Sequence, residues 1–266
     1  MEKIFVGCAG WEYSGWIGPF YPKNLKKENH LRYYSDHFNF MEINSTFYNL
    51  PKENTVRHWF DQVPKHFIFS IKVWQKITHE RSQELESLIN TFFKRMKILE
   101  PKTYGYLFQF PPKFKYTEKN LNYLTKILEI IPSELNYLLE LRDNSWFNLD
   151  ILEPILHPHN LTLVTSYITG LDPYYYPEQS EYYIRLIGDH QIQVFDRIQR
   201  EQDEALEHLD QNLRLFERNP QVNKVIVIFN NNFRGFAPED ANQLIKRMGI
   251  TQHHLSQQKN LLDFMR

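Results

Sequence analysis

With 266 residues, the chain is long enough for one α/β barrel or for two small domains. Its formal net charge of −1 excludes a strong overall field that would attract nucleic acid or an anionic membrane. The single cysteine, Cys8, excludes an internal disulfide, and no stretch approaches the ~18 apolar residues of a membrane span. We therefore expect a soluble, cytoplasmic protein with no membrane partner.

Eight short apolar runs, typical of buried β-strands, recur along the chain at 4–8, 40–44, 67–73, 104–110, 137–142, 161–166, 182–187 and 224–230. Helical patterns separate most of these runs, at 28–38, 53–63, 82–99, 117–131, 149–157 and 200–218. A loop rich in Pro and Tyr precedes the seventh run, and a final helix starts near Pro238. This alternation predicts parallel β/α units.

Eight such units close naturally into a single parallel (β/α)8 TIM barrel, which we predict for residues 1–250. An open doubly wound sheet is the main alternative, but the chain lacks the Gly-rich first turn that many nucleotide-binding sheets carry. Residues 251–266 form a polar and then apolar segment. We interpret that segment as a C-terminal tail or a closing helix.

Charged residues interrupt several of the apolar runs near their ends, where a TIM barrel places its working surface. In a barrel strand alternate residues point inward, so residues of one parity reach the mouth. The set comprises two carboxylates and three cations, Glu42, Glu140, Lys72, Arg142 and Arg185. One interpretation is a self-neutralising salt-bridge network. The other is a site for a small anion, because the cations outnumber the carboxylates.

Aromatic and amide side chains lie near the same strand ends. Trp11 and Tyr13 follow the first run and could stack a sugar or a base, or could simply anchor a loop. Asn44 and Asn230 could orient a ligand. Most histidines lie in helices or loops, so we expect no metal and no other cofactor. His79 and His190 follow strands and are the two that could reach the mouth.

Several motifs together resemble the YecE-like family, also known as domain of unknown function 72, over about residues 5–249. They are GCAGWEYSGWIGPFYP, MEINSTFYNLP, FIFSIKV, ELRDNSWF, YIRLIG and FNNNFRGFAP. The resemblance implies a TIM barrel and supplies no established activity. The positions that match the family pattern are Glu42, Asn44, Lys72, Glu140, Arg142, Trp146, Arg185 and Asn230.

The chain departs from the family pattern where histidine is frequent. Asp143 and Asn144 replace a His-Pro pair, while Ile187 and Phe236 each replace a histidine. These departures argue against a histidine-dependent metal site or proton shuttle.

Three hypotheses follow for the function. The first is an enzyme that binds a small phosphorylated or carboxylated metabolite, with Glu42 or Glu140 as catalytic base or acid. The second is a phosphodiester enzyme acting on nucleic acid or a nucleotide, against which the near-neutral charge argues. The third is a binding protein without catalysis. We favour the first; the sequence does not predict the oligomeric state.

Overall fold

A computed structural model describes residues 3–250 of the chain. Its eight parallel strands form a closed barrel in chain order, in which the last strand pairs with the first. The strands are β1 Ile4–Ala9, β2 Phe40–Ile43, β3 Ile68–Lys72, β4 Thr103–Gln109, β5 Tyr137–Glu140, β6 Leu161–Ile168, β7 Glu181–Gly188 and β8 Lys224–Phe229. The predicted TIM barrel is confirmed, and the predicted tail at 251–266 lies outside the described residues.

In the described part of the chain, ten α-helices surround the barrel or follow its strands. They are α1 His30–Ser35, α2 Ser45–Tyr48, α3 Glu53–Gln62, α4 Gln75–Thr78, α5 Leu85–Met96, α6 Glu118–Ile130, α7 Leu149–Leu156, α8 Asp203–Arg218, α9 Asn231–Arg234 and α10 Ala237–Met248. Four short 3₁₀ turns occupy Ser14–Trp16, Lys27–Asn29, Glu100–Lys102 and Asn144–Trp146. As predicted, no helix separates β6 from β7.

Most element boundaries differ from the predicted ones by one to three residues, and two of these differences affect the description of the site or of its first helix. The first helix is shorter than 28–38, because a 3₁₀ turn at Lys27–Asn29 precedes α1. The fifth strand ends at Glu140, so Arg142 lies in the loop beyond it rather than in the strand. Since loops do not keep the alternation of a strand, the inward position of Arg142 depends on its own contacts.

The barrel interior contains an apolar cluster under a polar layer. The apolar cluster comprises Ala9, Phe40, Tyr104, Leu107, Leu138, Val164, Tyr183, Ile226 and Ile228. The next inward positions toward the carboxyl ends carry polar groups, among them Glu42 above Phe40 and Glu140 above Leu138. The apolar cluster thus fills the lower part of the barrel interior, and the polar layer faces the carboxyl ends of the strands, where the sites of TIM barrels lie.

Within residues 3–250, no helix is both long enough and apolar enough to cross a membrane.

Candidate active site at the barrel mouth

A cavity of about 510 Å³ opens at the carboxyl ends of the strands. Its volume lies within the range of small-molecule sites. Cationic side chains, amides, histidines and aromatic rings line it: Tyr13, Asn44, Phe47, Tyr48, Lys72, Gln75, His79, Gln109, Pro111, Pro112, Arg142, Arg185, Ile187, His190, Phe195, Asn230, Asn231 and Asn232. Among these described residues, three are cations and none is a carboxylate.

Arg185 forms the floor of the cavity and is almost fully buried. Its Nε and Nη2 donate to the two carboxylate oxygens of Glu42 at 2.8 and 2.6 Å. Its Nη1 donates to Glu140, on the far side of the barrel. Burial opposes the charge of Arg185, but the ionised Glu140 and Glu42 outweigh that effect and raise the pKa of the guanidinium.

Both glutamates lie beneath the cavity and have no exposed surface. Glu140 also accepts hydrogen bonds from Arg142 Nε at 2.7 Å and Ser166 Oγ at 3.0 Å. Burial alone would raise the pKa of Glu140, but Arg142, Arg185 and Lys72 together lower it to about 2. Glu140 is therefore an ionised hydrogen-bond acceptor at neutral pH.

Tyr183 supports Glu42 from below and was not among the predicted site residues. Its hydroxyl donates to Glu42 at 3.0 Å and lies 2.5 Å from Ser70 Oγ. Burial raises the pKa of Tyr183 well above its ordinary value, so the hydroxyl keeps its proton. The signal was present in the sequence, because Tyr183 shares the inward parity of Arg185 on β7.

Arg142 and Lys72 are the cations with unused donors. The Nε of Arg142 donates to Glu140, and its two terminal nitrogens have no protein partner within residues 3–250. Lys72 ends β3, and its Nζ lies 4.0 Å from the ring centroid of Phe47. Burial, followed by the charges of Arg185 and Arg142, lowers the pKa of Lys72 to about 7. The cavity wall therefore carries three cationic side chains, two of which, Arg142 and Arg185, are paired with the buried glutamates beneath it.

Both strand-following histidines line the cavity. Burial and the nearby Lys72 and Arg142 lower the pKa of His79 to about 4. Burial and Arg142 lower the pKa of His190 in the same direction. Both imidazoles are neutral at physiological pH, and each can donate or accept one hydrogen bond.

Six amide side chains line the mouth, and three of them end a strand or directly precede the helix that follows one. Asn44 precedes α2, and its Oδ1 is buried without a hydrogen-bond partner, which leaves an acceptor for a ligand. Asn230 precedes α9, and its Oδ1 accepts from the backbone of Asn232 at 3.0 Å. Gln109 ends β4, and its amide nitrogen donates to the carbonyl of Phe110 at 2.7 Å.

The predicted aromatic residues occupy different places. Tyr13 lines the mouth, and its hydroxyl donates to the carbonyl of Ala9 at 2.7 Å. Trp11 is buried beside a neighbouring cavity of about 540 Å³. Trp146 does not line the mouth, because it is fully buried against Phe114, to whose carbonyl it donates at 2.6 Å.

The thiol of Cys8 is fully buried, and burial raises its pKa. A thiol in this state is a poor nucleophile. Within residues 3–250, no group of three or more His, Cys, Asp and Glu side chains is placed to hold a metal ion.

Comparison with known proteins identifies relatives along almost the entire chain. The sequence model of the family described as "Protein of unknown function DUF72" matches residues 5–262. The UPF0759 protein YecE of Escherichia coli (strain K12) is 31% identical over 145 residues, which cover 54% of this chain and 50% of YecE. The UPF0759 protein YunF of Bacillus subtilis (strain 168) is 29% identical over 160 residues, covering 58% and 55% respectively. The chain thus spans about half the length of these relatives.

Solved structures share the barrel. A DUF72 family protein from Thermotoga maritima has a TM-score of 0.77 at 26% identity, and the match covers 93% of this chain and 99% of that one. A DUF72 family protein from Enterococcus faecalis has a TM-score of 0.73 at 24% identity, with coverage of 94% and 98%. The second similarity shows the fold alone.

Proposed function

The chain belongs to the DUF72 family of proteins of unknown function, and we propose that it binds a small phosphorylated or carboxylated metabolite in the barrel mouth. The supporting observation is the charge of the cavity wall. Lys72, Arg142 and Arg185 line the cavity, whereas no carboxylate among the described residues does so. An anion entering this space would meet cations in a partly desolvated site, where ionic hydrogen bonds are strong.

Arg142 is the principal anion-binding group in this proposal. Its Nε is held by the buried Glu140, which orients the planar guanidinium. Its two terminal nitrogens remain for a carboxylate or a phosphate, which the guanidinium can bind through two parallel hydrogen bonds. All three nitrogens of Arg185 already donate to Glu42 or Glu140, which engages three of its five N–H groups, so Arg185 contributes charge more than free donors.

The two glutamates take a positioning role in this proposal rather than the acid–base role expected from the sequence. They lie beneath Arg185 and do not line the cavity, so a ligand does not meet their oxygens directly. A pKa of about 2 leaves Glu140 without a proton to donate and makes it a weak base at neutral pH. Their negative charge fixes both guanidiniums in place.

Calorimetry on the purified protein can test this proposal. Inorganic phosphate, pyruvate and glucose 6-phosphate are titrated into the wild type, the Arg142→Gln variant and the control Arg57→Gln, which changes an exposed arginine of α3. Loss of a bidentate, charge-assisted contact weakens binding by about 10- to 100-fold. We expect that loss for Arg142→Gln and none for Arg57→Gln.

Two outcomes would contradict the proposal. One is the absence of binding to every anion while the wild-type protein is folded by circular dichroism. The other is equal affinity of the Arg142→Gln variant and the wild type. Titration with single-stranded DNA and RNA addresses the alternative phosphodiester function, for which tight, salt-dependent binding is the expected result.

A further inference from the structure

Among the lysines within residues 3–250, Lys72 is the one that lines the cavity at the mouth. It is partly buried at the end of β3 and lines the cavity, with Nζ against the face of Phe47. Within residues 3–250, no carboxylate or carbonyl accepts a hydrogen bond from this Nζ. Apart from the ring of Phe47, the ammonium form of Lys72 therefore lacks the hydrogen-bond acceptors that normally stabilise a charge taken out of water.

The groups around Lys72 weaken its ammonium form further. Arg185 and Arg142 face it from β7 and from the loop after β5, and both lower its pKa, whereas Glu140 and Glu42 raise it. Those glutamates are already engaged with the two guanidiniums. His79 and His190 also line the cavity, and their own lowered pKa values keep them neutral at pH 7. Burial and the arginines prevail, so a large share of Lys72 is the free amine near neutral pH.

The same cavity places an anion clamp close to this amine. Lys72 ends β3 and Arg142 follows β5, and these two strands flank β4, whose last residue, Gln109, also lines the cavity. A ligand whose anionic group binds the terminal nitrogens of Arg142 would extend across the mouth past Gln109 toward Lys72. The free acceptor on Asn44 lines the same space and could receive a hydroxyl of the ligand.

We propose that Lys72 is a nucleophile that forms an imine with a carbonyl compound carrying a carboxylate or phosphate, which Arg142 holds. This inference rests on the proposed anion-binding function and adds a covalent step to it. A desolvated lysine beside other cationic groups is a recognised way to obtain a nucleophilic amine. The substrate class is therefore an α-keto acid, or an aldehyde or ketone bearing a phosphate.

The reaction balances without any further reactant. The lone pair of Lys72 Nζ attacks the carbonyl carbon, a C–N bond forms, and the C=O π electrons move to oxygen. Proton transfer from nitrogen to oxygen gives a carbinolamine. The hydroxyl group then leaves as water, taking up the second proton of the amine, and a neutral C=N bond remains. No electron is gained or lost, so neither an oxidant nor a reductant is required.

Reductive trapping tests the inference. Pyridoxal 5′-phosphate is used as an anionic aldehyde whose imine is reduced by borohydride and located by peptide mass spectrometry. The intact protein is labelled at pH 7, along with the Lys72→Met variant and the Lys76→Met control, which changes an exposed lysine on α4. An ordinary lysine is a free amine only to about one part in 10³ at this pH. We expect labelling at Lys72 to exceed that at Lys76 at least ~50-fold.

The pattern of outcomes separates this inference from the anion-binding proposal. Selective labelling of Lys72, lost in Lys72→Met, kept in Lys76→Met and suppressed by excess phosphate, supports the inference. Reversible binding of pyridoxal 5′-phosphate that depends on Arg142, without a trapped adduct at Lys72, overturns the imine and leaves anion binding intact. Absence of both binding and trapping overturns both proposals. Equal labelling of Lys72 and the exposed lysines also overturns the inference.

Discussion

Replacement of Glu140 by glutamine tests the electrostatic design of the cavity floor. The side chain is fully buried and accepts hydrogen bonds from Arg142, Ser166 and Arg185. Glutamine has nearly the same shape, so the Glu140→Gln change removes the charge and leaves packing almost unaltered. Arg142 and Arg185 then lose the negative charge that they share. The amide nitrogen of glutamine replaces one carboxylate oxygen, so a hydrogen-bond donor faces a cation where an acceptor stood before.

The magnitude follows from the pKa of the folded protein. The pKa of Glu140 falls from 4.5 to about 2, a difference worth about 3 kcal/mol of folding free energy. Because the folded-state pKa is depressed, this stabilisation is complete above about pH 4.5 and is lost as the pH falls through about 2. Glutamine does not titrate, so its variant lacks this contribution at every pH.

Urea denaturation at pH 7, 5 and 3 measures the effect. We expect the Glu140→Gln variant to be less stable than the wild type by about 3 kcal/mol at pH 7 and pH 5. At pH 3 the difference should fall to roughly half, because the wild-type carboxylate has begun to lose its advantage. The control is Glu86→Gln, an exposed position on α5, where the change should stay within about 0.5 kcal/mol.

Two results would refute this reasoning. A pH-independent difference between wild type and Glu140→Gln would mean that the cost arises from packing or hydrogen-bond geometry rather than charge. A difference below about 1 kcal/mol at pH 7 would mean that the guanidiniums find solvent or another acceptor and that the floor is not a coupled ionic unit.

Three further predictions concern other parts of the barrel. Burial raises the pKa of Asp240 to about 7, so the wild-type protein loses stability as the pH rises toward 7. The Asp240→Asn variant cannot ionise, so its free energy of unfolding in urea, relative to that of the wild type, should be higher at pH 8 than at pH 5. Trp146→Phe removes the hydrogen bond to Phe114 and should cost about 1–3 kcal/mol, yet leave anion affinity in calorimetry unchanged. Gly188→Ala adds a Cβ that overlaps the Asn232 carbonyl at a φ of +77°, and should lower the melting temperature by more than about 5 °C.

The strands could be predicted from the sequence because each is a short apolar run, and a parallel strand that is buried on both faces consists almost entirely of apolar residues. Boundaries were less certain where polar residues continue a run. The run ending at Arg142 looks continuous in the sequence, but β5 stops at Glu140. The guanidinium of Arg142 nevertheless lies near the end of β5, because its Nε donates a hydrogen bond to Glu140, two residues earlier in the chain.

The residues of the polar layer could be predicted from the sequence, but the hydrogen bonds and ion pairs between them could not. Strand parity places Glu42, Glu140 and Arg185 on the inner face, since alternate residues point inward. Strand parity does not predict that the guanidinium of Arg185 bridges Glu42 on β2 and Glu140 on β5, because that contact depends on side-chain rotamers and on the barrel diameter. His79 and His190 could be singled out because each follows a strand, and both line the cavity, but the orientation of their rings depends on loop conformation.

The two interpretations of the charged residues, a salt-bridge network and an anion site, describe different layers of one structure. Glu42 and Glu140 neutralise two cationic charges below the cavity, which lets Arg185 stay buried. Because they point into that layer, no carboxylate among the described residues faces the cavity to repel an anion. The buried network thus keeps the carboxylate oxygens out of the cavity wall and holds Arg142 there with its terminal nitrogens free.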